Sequence, residues 1–160
     1  MKNKIVWLAA LFISLSAVTA LAGGGIFGLG LVAGSPTGIT AKIFLSDSNA
    51  LDFDAAWDFY HGGFGATGDY LFHFRDVAGA KAFALRPYIG GGGAFGLRRE
   101  HPQDHDDDIR TGLAARATGG LAMRFREVPV ELSLDLSPGV WIIPTTDLYL
   151  GGTLGCKYFF

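Results

Sequence analysis

Near its end the chain reads LYLGGTLGCKYFF, from Leu148 to Phe160. Leu148, Leu150, Gly152, Leu154, Cys156, Tyr158 and Phe160 share one parity. Tyr149, Gly151, Thr153, Gly155, Lys157 and Phe159 share the other. Side chains of an extended chain point alternately to opposite faces, so this stretch is a two-faced strand.

The same rhythm recurs upstream. Leu51, Phe53, Ala55, Trp57 and Phe59 alternate with Asp52, Asp54, Ala56 and Asp58. Phe64, Ala66, Gly68, Tyr70, Phe72 and Phe74 alternate with Gly65, Thr67, Asp69, Leu71 and His73. Val130, Leu132, Leu134 and Leu136 alternate with Glu131, Ser133, Asp135 and Ser137. Four further segments carry a looser version: Ile26 to Ala33, Gly38 to Leu45, Tyr88 to Leu97 and Arg110 to Phe125. Eight strands are therefore expected. Their connections fall at Ser35 to Thr37, Ser46 to Asn49, His61 to Gly63, Arg75 to Arg86, Arg98 to Asp108, Arg126 to Pro129 and Pro138 to Thr146. Pro87 cannot donate to a ladder, so the fifth strand is expected to start near it. Frequent Gly and weak helical periodicity argue against long helices.

Composition agrees. The 160 residues include 24 Gly, 13 Phe and one Cys, with 49% hydrophobic and 18% charged residues. Such a chain has enough apolar content to order, and its length suits one domain. One Cys excludes an intramolecular disulfide framework and a Cys-based zinc site. A net charge of -2 argues against nucleic acid as the partner. At the start, Lys2 and Lys4 precede an apolar run from Ile5 to Leu15, and Ala20-Leu21-Ala22 fits a small-residue cleavage site. Residues 1–22 are therefore expected to be a cleaved signal peptide and residues 23–160 a single β-domain. Cleavage there leaves 138 residues with 11 basic and 15 acidic side chains.

Alternation alone permits two barrels, one with its apolar face inside and one with that face outside. An eight-stranded barrel has an interior only just wide enough for side chains. Phe53, Trp57, Phe59, Tyr70, Phe72, Phe74 and Tyr158 would overfill it, whereas the Gly, Ala, Ser and Thr of the opposite face suit it. The apolar faces carry almost no charge. Strands of about ten residues also fit the available length. The expected fold is all-β: an eight-stranded antiparallel up-and-down transmembrane barrel with its apolar face toward lipid. The alternative is a soluble periplasmic barrel that binds an apolar ligand inside.

On the lipid-facing reading the polar face becomes the lumen. Its acids are Asp52, Asp54, Asp58, Asp69, Glu131 and Asp135. Its bases are Lys42, Arg116, Arg124 and Lys157, with Arg86 a further candidate. Unpaired charges in so narrow a space are costly, so ion pairs are expected there, and a proton or ion path is the lesser reading. With both termini periplasmic, the outer loops are Ser35 to Thr37, His61 to Gly63, Arg98 to Asp108 and Pro138 to Thr146. The most charged connection, Arg98 to Asp108, then lies outside.

Taken together, the N-terminal signal, the eight alternating strands and the terminal Phe160 resemble the small outer-membrane barrels of the OmpA transmembrane-domain and OmpX type. The resemblance spans about Gly25 to Phe160. It implies residence in the outer membrane of a Gram-negative envelope, among outer-membrane lipid. It also implies recognition by the barrel-assembly machinery through Phe160 and the alternate residues before it. The expected roles are envelope integrity, or contact with an extracellular partner through the loops at Arg98 to Asp108 and Pro138 to Thr146.

Chemistry-bearing residues have plainer explanations. His101, Asp104, His105, Asp106, Asp107 and Asp108 mix imidazoles with carboxylates, a donor set that can hold a divalent ion. A solvated loop that keeps the barrel end hydrated is the plainer reading, and no metal site is expected. Ser35, Ser137, His61 and Asp58 fall near the expected outer rim, but no motif marks either Ser as a nucleophile. No catalytic residue and no cofactor are expected, with a lipid-modifying enzyme or a minor channel as lesser alternatives. Gly90 to Gly93 lacks the helix and Lys of a phosphate loop, so close packing or curvature is its expected role. Cys156 is expected to face lipid. Trp141, Tyr149 and Tyr158 are candidates for the membrane interfaces, with ordinary loop or strand packing as the alternative, equally so for Trp141.

Overall fold

The computed structural model describes residues 25–35, 37–58, 63–99 and 109–160. The signal segment 1–22, Phe59, His61 and the His101 to Asp108 cluster lie outside the described residues.

The alternating segments form β1 (Phe27–Ser35), β2 (Gly38–Phe44), β3 (Asn49–Asp58), β4 (Gly63–His73), β5 (Ala78–Gly79), β6 (Phe83–Arg99), β7 (Ile109–Phe125), β8 (Val130–Ile143) and β9 (Asp147–Phe159). Apart from β4 and β5, neighbours in sequence pair antiparallel, and two further pairings, β4 with β6 and β1 with β9, close the ring. The result is an eight-stranded up-and-down barrel closed on itself. The two-residue β5 is an addition to the eight. It pairs Ala78 with Leu85 and Gly79 with Ala84, on the stretch of β6 that lies beyond the end of β4.

β1 and β6 run two residues past their expected ends, to Ser35 and Arg99, and proline marks two larger differences from the sequence reading. The fifth barrel strand, β6, begins at Phe83 and carries Pro87 inside it. Pro87 is tolerated there because of where its nitrogen points. Its carbonyl accepts from Phe74 N at 2.9 Å, just past the last residue of β4. The ring nitrogen faces the same side, toward Phe74 and away from β7, so the missing N–H falls just past the end of β4 and interrupts no bond to β7. Likewise Pro138 lies within β8, which runs on to Ile143 and shortens the expected connection to residues 144–146. Pro138 stays in register with Leu150 of β9. Toward β7 the pairing lapses between Gly119–Leu136 and Arg116–Gly139, where Pro138 offers no N–H.

The two faces are inverted relative to a water-soluble barrel. Large apolar side chains such as Leu31, Phe53, Trp57, Tyr70, Ile89, Leu121, Leu134, Leu154 and Tyr158 stand exposed on the outside. Thr40, Lys42, Asp69, Thr118, Glu131, Ser133 and Lys157 are buried inside. Narrowness is built into the backbone. A Cβ on Gly30 would lie 2.7 Å from Lys157 Cα, and one on Gly92 would lie 2.8 Å from Asp69 Cα. Those glycines let adjacent strands coil closely around a small lumen, which is the role expected for the Gly90 to Gly93 run.

Candidate functional site

The lumen is filled by charged and polar side chains from seven of the eight barrel strands. Each arrives there by parity: Lys42 on β2, Asp52 and Asp54 on β3, Asp69 on β4, Arg116 on β7, Glu131 and Asp135 on β8, Lys157 on β9, with Tyr88 from β6. Toward the end that carries the chain termini, Lys42 Nζ lies 2.7 Å from Glu131 Oε1 and 3.7 Å from Asp52 Oδ2. Lys157 Nζ lies 3.1 Å from the same Asp52 oxygen. Thr40 Oγ1 donates to Asp52 Oδ1 at 3.1 Å. Toward the other end, Arg116 Nε donates to Asp69 at 2.9 Å and its Nη2 lies 3.6 Å from Asp54. Thr118 and Thr67 donate to Asp69 and Asp54 at 2.9 and 2.8 Å.

Asp135 has another solution. The Tyr88 hydroxyl donates to its Oδ1 and Thr153 Oγ1 donates to its Oδ2 at 3.2 Å. Hydroxyl donors therefore compensate this carboxylate, where Lys and Arg compensate its neighbours. Buried charges demand such partners, because each ion taken out of water without one costs several kcal/mol.

Both ends of the lumen are aromatic. At the terminal end the Arg124 guanidinium lies over Phe44 at 4.8 Å and over Phe159 at 4.6 Å. His73 sits behind them, 5.1 Å from the Phe44 ring and 5.0 Å from the Tyr88 ring. At the distal end, Trp141 and Tyr149 stack at 5.5 Å. Their ring positions correct the interface reading. Both share the inward parity of Ser137 and Gly151, and Trp141 lies across Gly112 and Gly96, where a Cβ would stand 2.8 and 3.4 Å from its ring. Tyr158 does face outward, as does Cys156.

The structure brings together nine of the charged residues that alternation places inside: Lys42, Asp52, Asp54, Asp69, Arg116, Arg124, Glu131, Asp135 and Lys157. Arg86 is at the rim, 3.1 Å from Asp76 and 2.9 Å from the Asp47 carbonyl. Ser35 and Ser137 are not assembled into one site. Ser35 is exposed at the end of β1, while Ser137 is buried and 3.1 Å from Thr118 Oγ1. Their candidate partner His61 is outside the described residues. Among the described residues no group of three or more His, Cys, Asp or Glu is placed to hold a metal ion. Sequence reasoning missed Tyr88 as a lumen residue, although it shares parity with the inward Gly90 and Gly92. It also missed the arginine-lined recess at the terminal end.

No family model matches the chain, and no curated protein matches it. Among solved structures it is similar to the N-terminal β-barrel domain of Pseudomonas aeruginosa OprF. Identity is 20% and the TM-score 0.62, over 84% of this chain and 95% of that one. The chain thus has the eight-stranded outer-membrane barrel fold of that domain, which is the fold expected from its resemblance to the OmpA-type barrels.

Proposed function

We propose that this protein is a small integral barrel of the outer membrane with a structural or surface-contact role and no catalytic one. The observation that carries the reading is the inversion of its faces. An apolar exterior surrounds a lumen of ion pairs, and such a body is stable only where lipid covers the outside. The soluble alternative needs an apolar cavity, and the space where that ligand would lie holds Lys42, Glu131, Asp69 and Arg116. The paired charges act as a plug that ties six strands to one another, and Tyr88 adds a seventh. Residues 1–22 direct export, and the strand ending at Phe160 is the segment offered to the assembly machinery. Contacts outside the cell are made by the distal connections, which include residues 100–108.

Cell fractionation with gel electrophoresis tests this. The expected result is a band in the outer-membrane fraction that migrates differently before and after boiling. A band released with the periplasm and unaffected by heat overturns the proposal.

A further inference from the structure

At the terminal end of the lumen lies an open recess of about 410 Å³. Arg86, Arg124 and Arg126 line it together with Asp76 and Glu131, leaving one net positive charge. Glu131 is already held by Lys42 at 2.7 Å, and Asp76 by Arg86 at 3.1 Å. Arg124 reaches Glu131 at only 3.8 Å. Its guanidinium lies over Phe44 and Phe159. A guanidinium fixed on ring faces keeps its N–H fork directed from the edge, an arrangement suited to oxyanions.

His73 supplies an independent observation. It lines the recess, is only 2% exposed, and neither ring nitrogen has a hydrogen-bond partner among the described residues. Buried polar atoms are almost always paired, so two orphans on one ring call for an explanation. An oxyanion admitted to the recess beside this ring would supply such a partner while it accepts from the arginines.

We propose that this recess binds the phosphate of a phosphodiester. One net positive charge matches the single charge of that group. The volume exceeds what a bare ion fills and falls within the range of about 300–1,000 Å³ seen for small-ligand sites. Phe44 and Phe125 offer apolar wall to the ester substituents. Two sources carry this chemistry: a phospholipid headgroup and a free glycerophosphodiester. The site depends on the recess alone and is independent of where the barrel resides.

The test is isothermal titration of the full chain, refolded in uncharged maltoside micelles without phosphate. One arm uses glycerophosphoglycerol, a second lysophosphatidylglycerol, and a third sodium sulfate as a charge control. Saturable 1:1 binding of either phosphodiester, with sulfate weaker, is the expected result. Binding of the soluble compound assigns the site to free solutes as well, and binding of the lipid alone assigns it to headgroups. His73→Phe keeps a ring between Phe44 and Tyr88 without the orphan nitrogens. It is expected to weaken binding about tenfold while leaving the unliganded melting temperature unchanged or higher. Arg126→Gln, on the exposed turn, is expected to weaken binding at low salt, and it decides the matter if His73→Phe does not refold. No saturable binding overturns the site, as does sulfate binding equally well, or wild-type affinity in the variants that refold.

Discussion

Lys42 has a side chain with 0% exposure, and its ammonium is 2.7 Å from Glu131. Removing one member of a buried pair strands the other, which costs about 3–5 kcal/mol. Lys42→Met is expected to lose that much in urea unfolding from detergent micelles, followed by tryptophan fluorescence. Adding Glu131→Gln is expected to restore more than half of the loss. A single-variant loss below about 1 kcal/mol would contradict the ion-pair account. Glycines give a second residue-scale contrast. Gly30→Ala would drive a Cβ to 2.7 Å from Lys157 Cα, whereas nothing lies within 4 Å of a Cβ on Gly119. Gly30→Ala is expected to cost about 1–3 kcal/mol, and Gly119→Ala to stay within about 0.5 kcal/mol, in the same unfolding measurement. Parity in the sequence puts Lys42 inside. It cannot name Glu131 as the partner, because the two are 89 positions apart and meet only when the ring closes. Trp141 and Tyr149 were misread for a related reason. Aromatic rings suit membrane interfaces in general, but their parity with Ser137 and Gly151 turns these two inward over Gly112 and Gly139.

Strands were the most legible level. β3, β4, β8 and β9 alternate with little interruption, so each outward face could be read residue by residue. The ends were less legible, and proline is the reason. Pro87 and Pro138 each look like a strand boundary, yet each sits inside a strand where its missing N–H falls past the end of a neighbouring strand or at a lapse in pairing. The short β5 escaped notice because two residues give no period to read. The outward faces carry a prediction of their own. Leu134, in the body of β8, is 59% exposed, and Leu148, at the start of β9, is 85% exposed. If both touch lipid, the cost of a charge depends on depth. Leu134→Arg is expected to cost about 2–4 kcal/mol and Leu148→Arg about 0–1 kcal/mol in folding equilibria measured in phospholipid vesicles. Equal small costs at both positions would mean that water, not lipid, meets β8.

At the scale of the whole molecule, closure and filling go together. The pairing of β1 with β9 closes the ring, and charged and polar side chains of seven strands occupy the space enclosed. A barrel so filled is expected to leave sugar-loaded proteoliposomes intact. Rapid osmotic swelling on addition of a permeant sugar would reveal an open pore. Eight barrel strands follow from the number of alternating segments alone. The recess at the terminal end does not, since Arg86, Arg124 and Arg126 approach one another only through the ring.

On the proposed function the apolar exterior faces lipid, and the chain carries its own reporter of that contact. Cys156 is the one cysteine in the sequence and is exposed on the outward face of β9. A nitroxide attached there, in barrels refolded into vesicles, can be relaxed by oxygen, which concentrates in lipid, or by a nickel chelate, which stays in water. Relaxation dominated by oxygen is the expected result. Relaxation dominated by the nickel chelate would place this face in water and contradict the account.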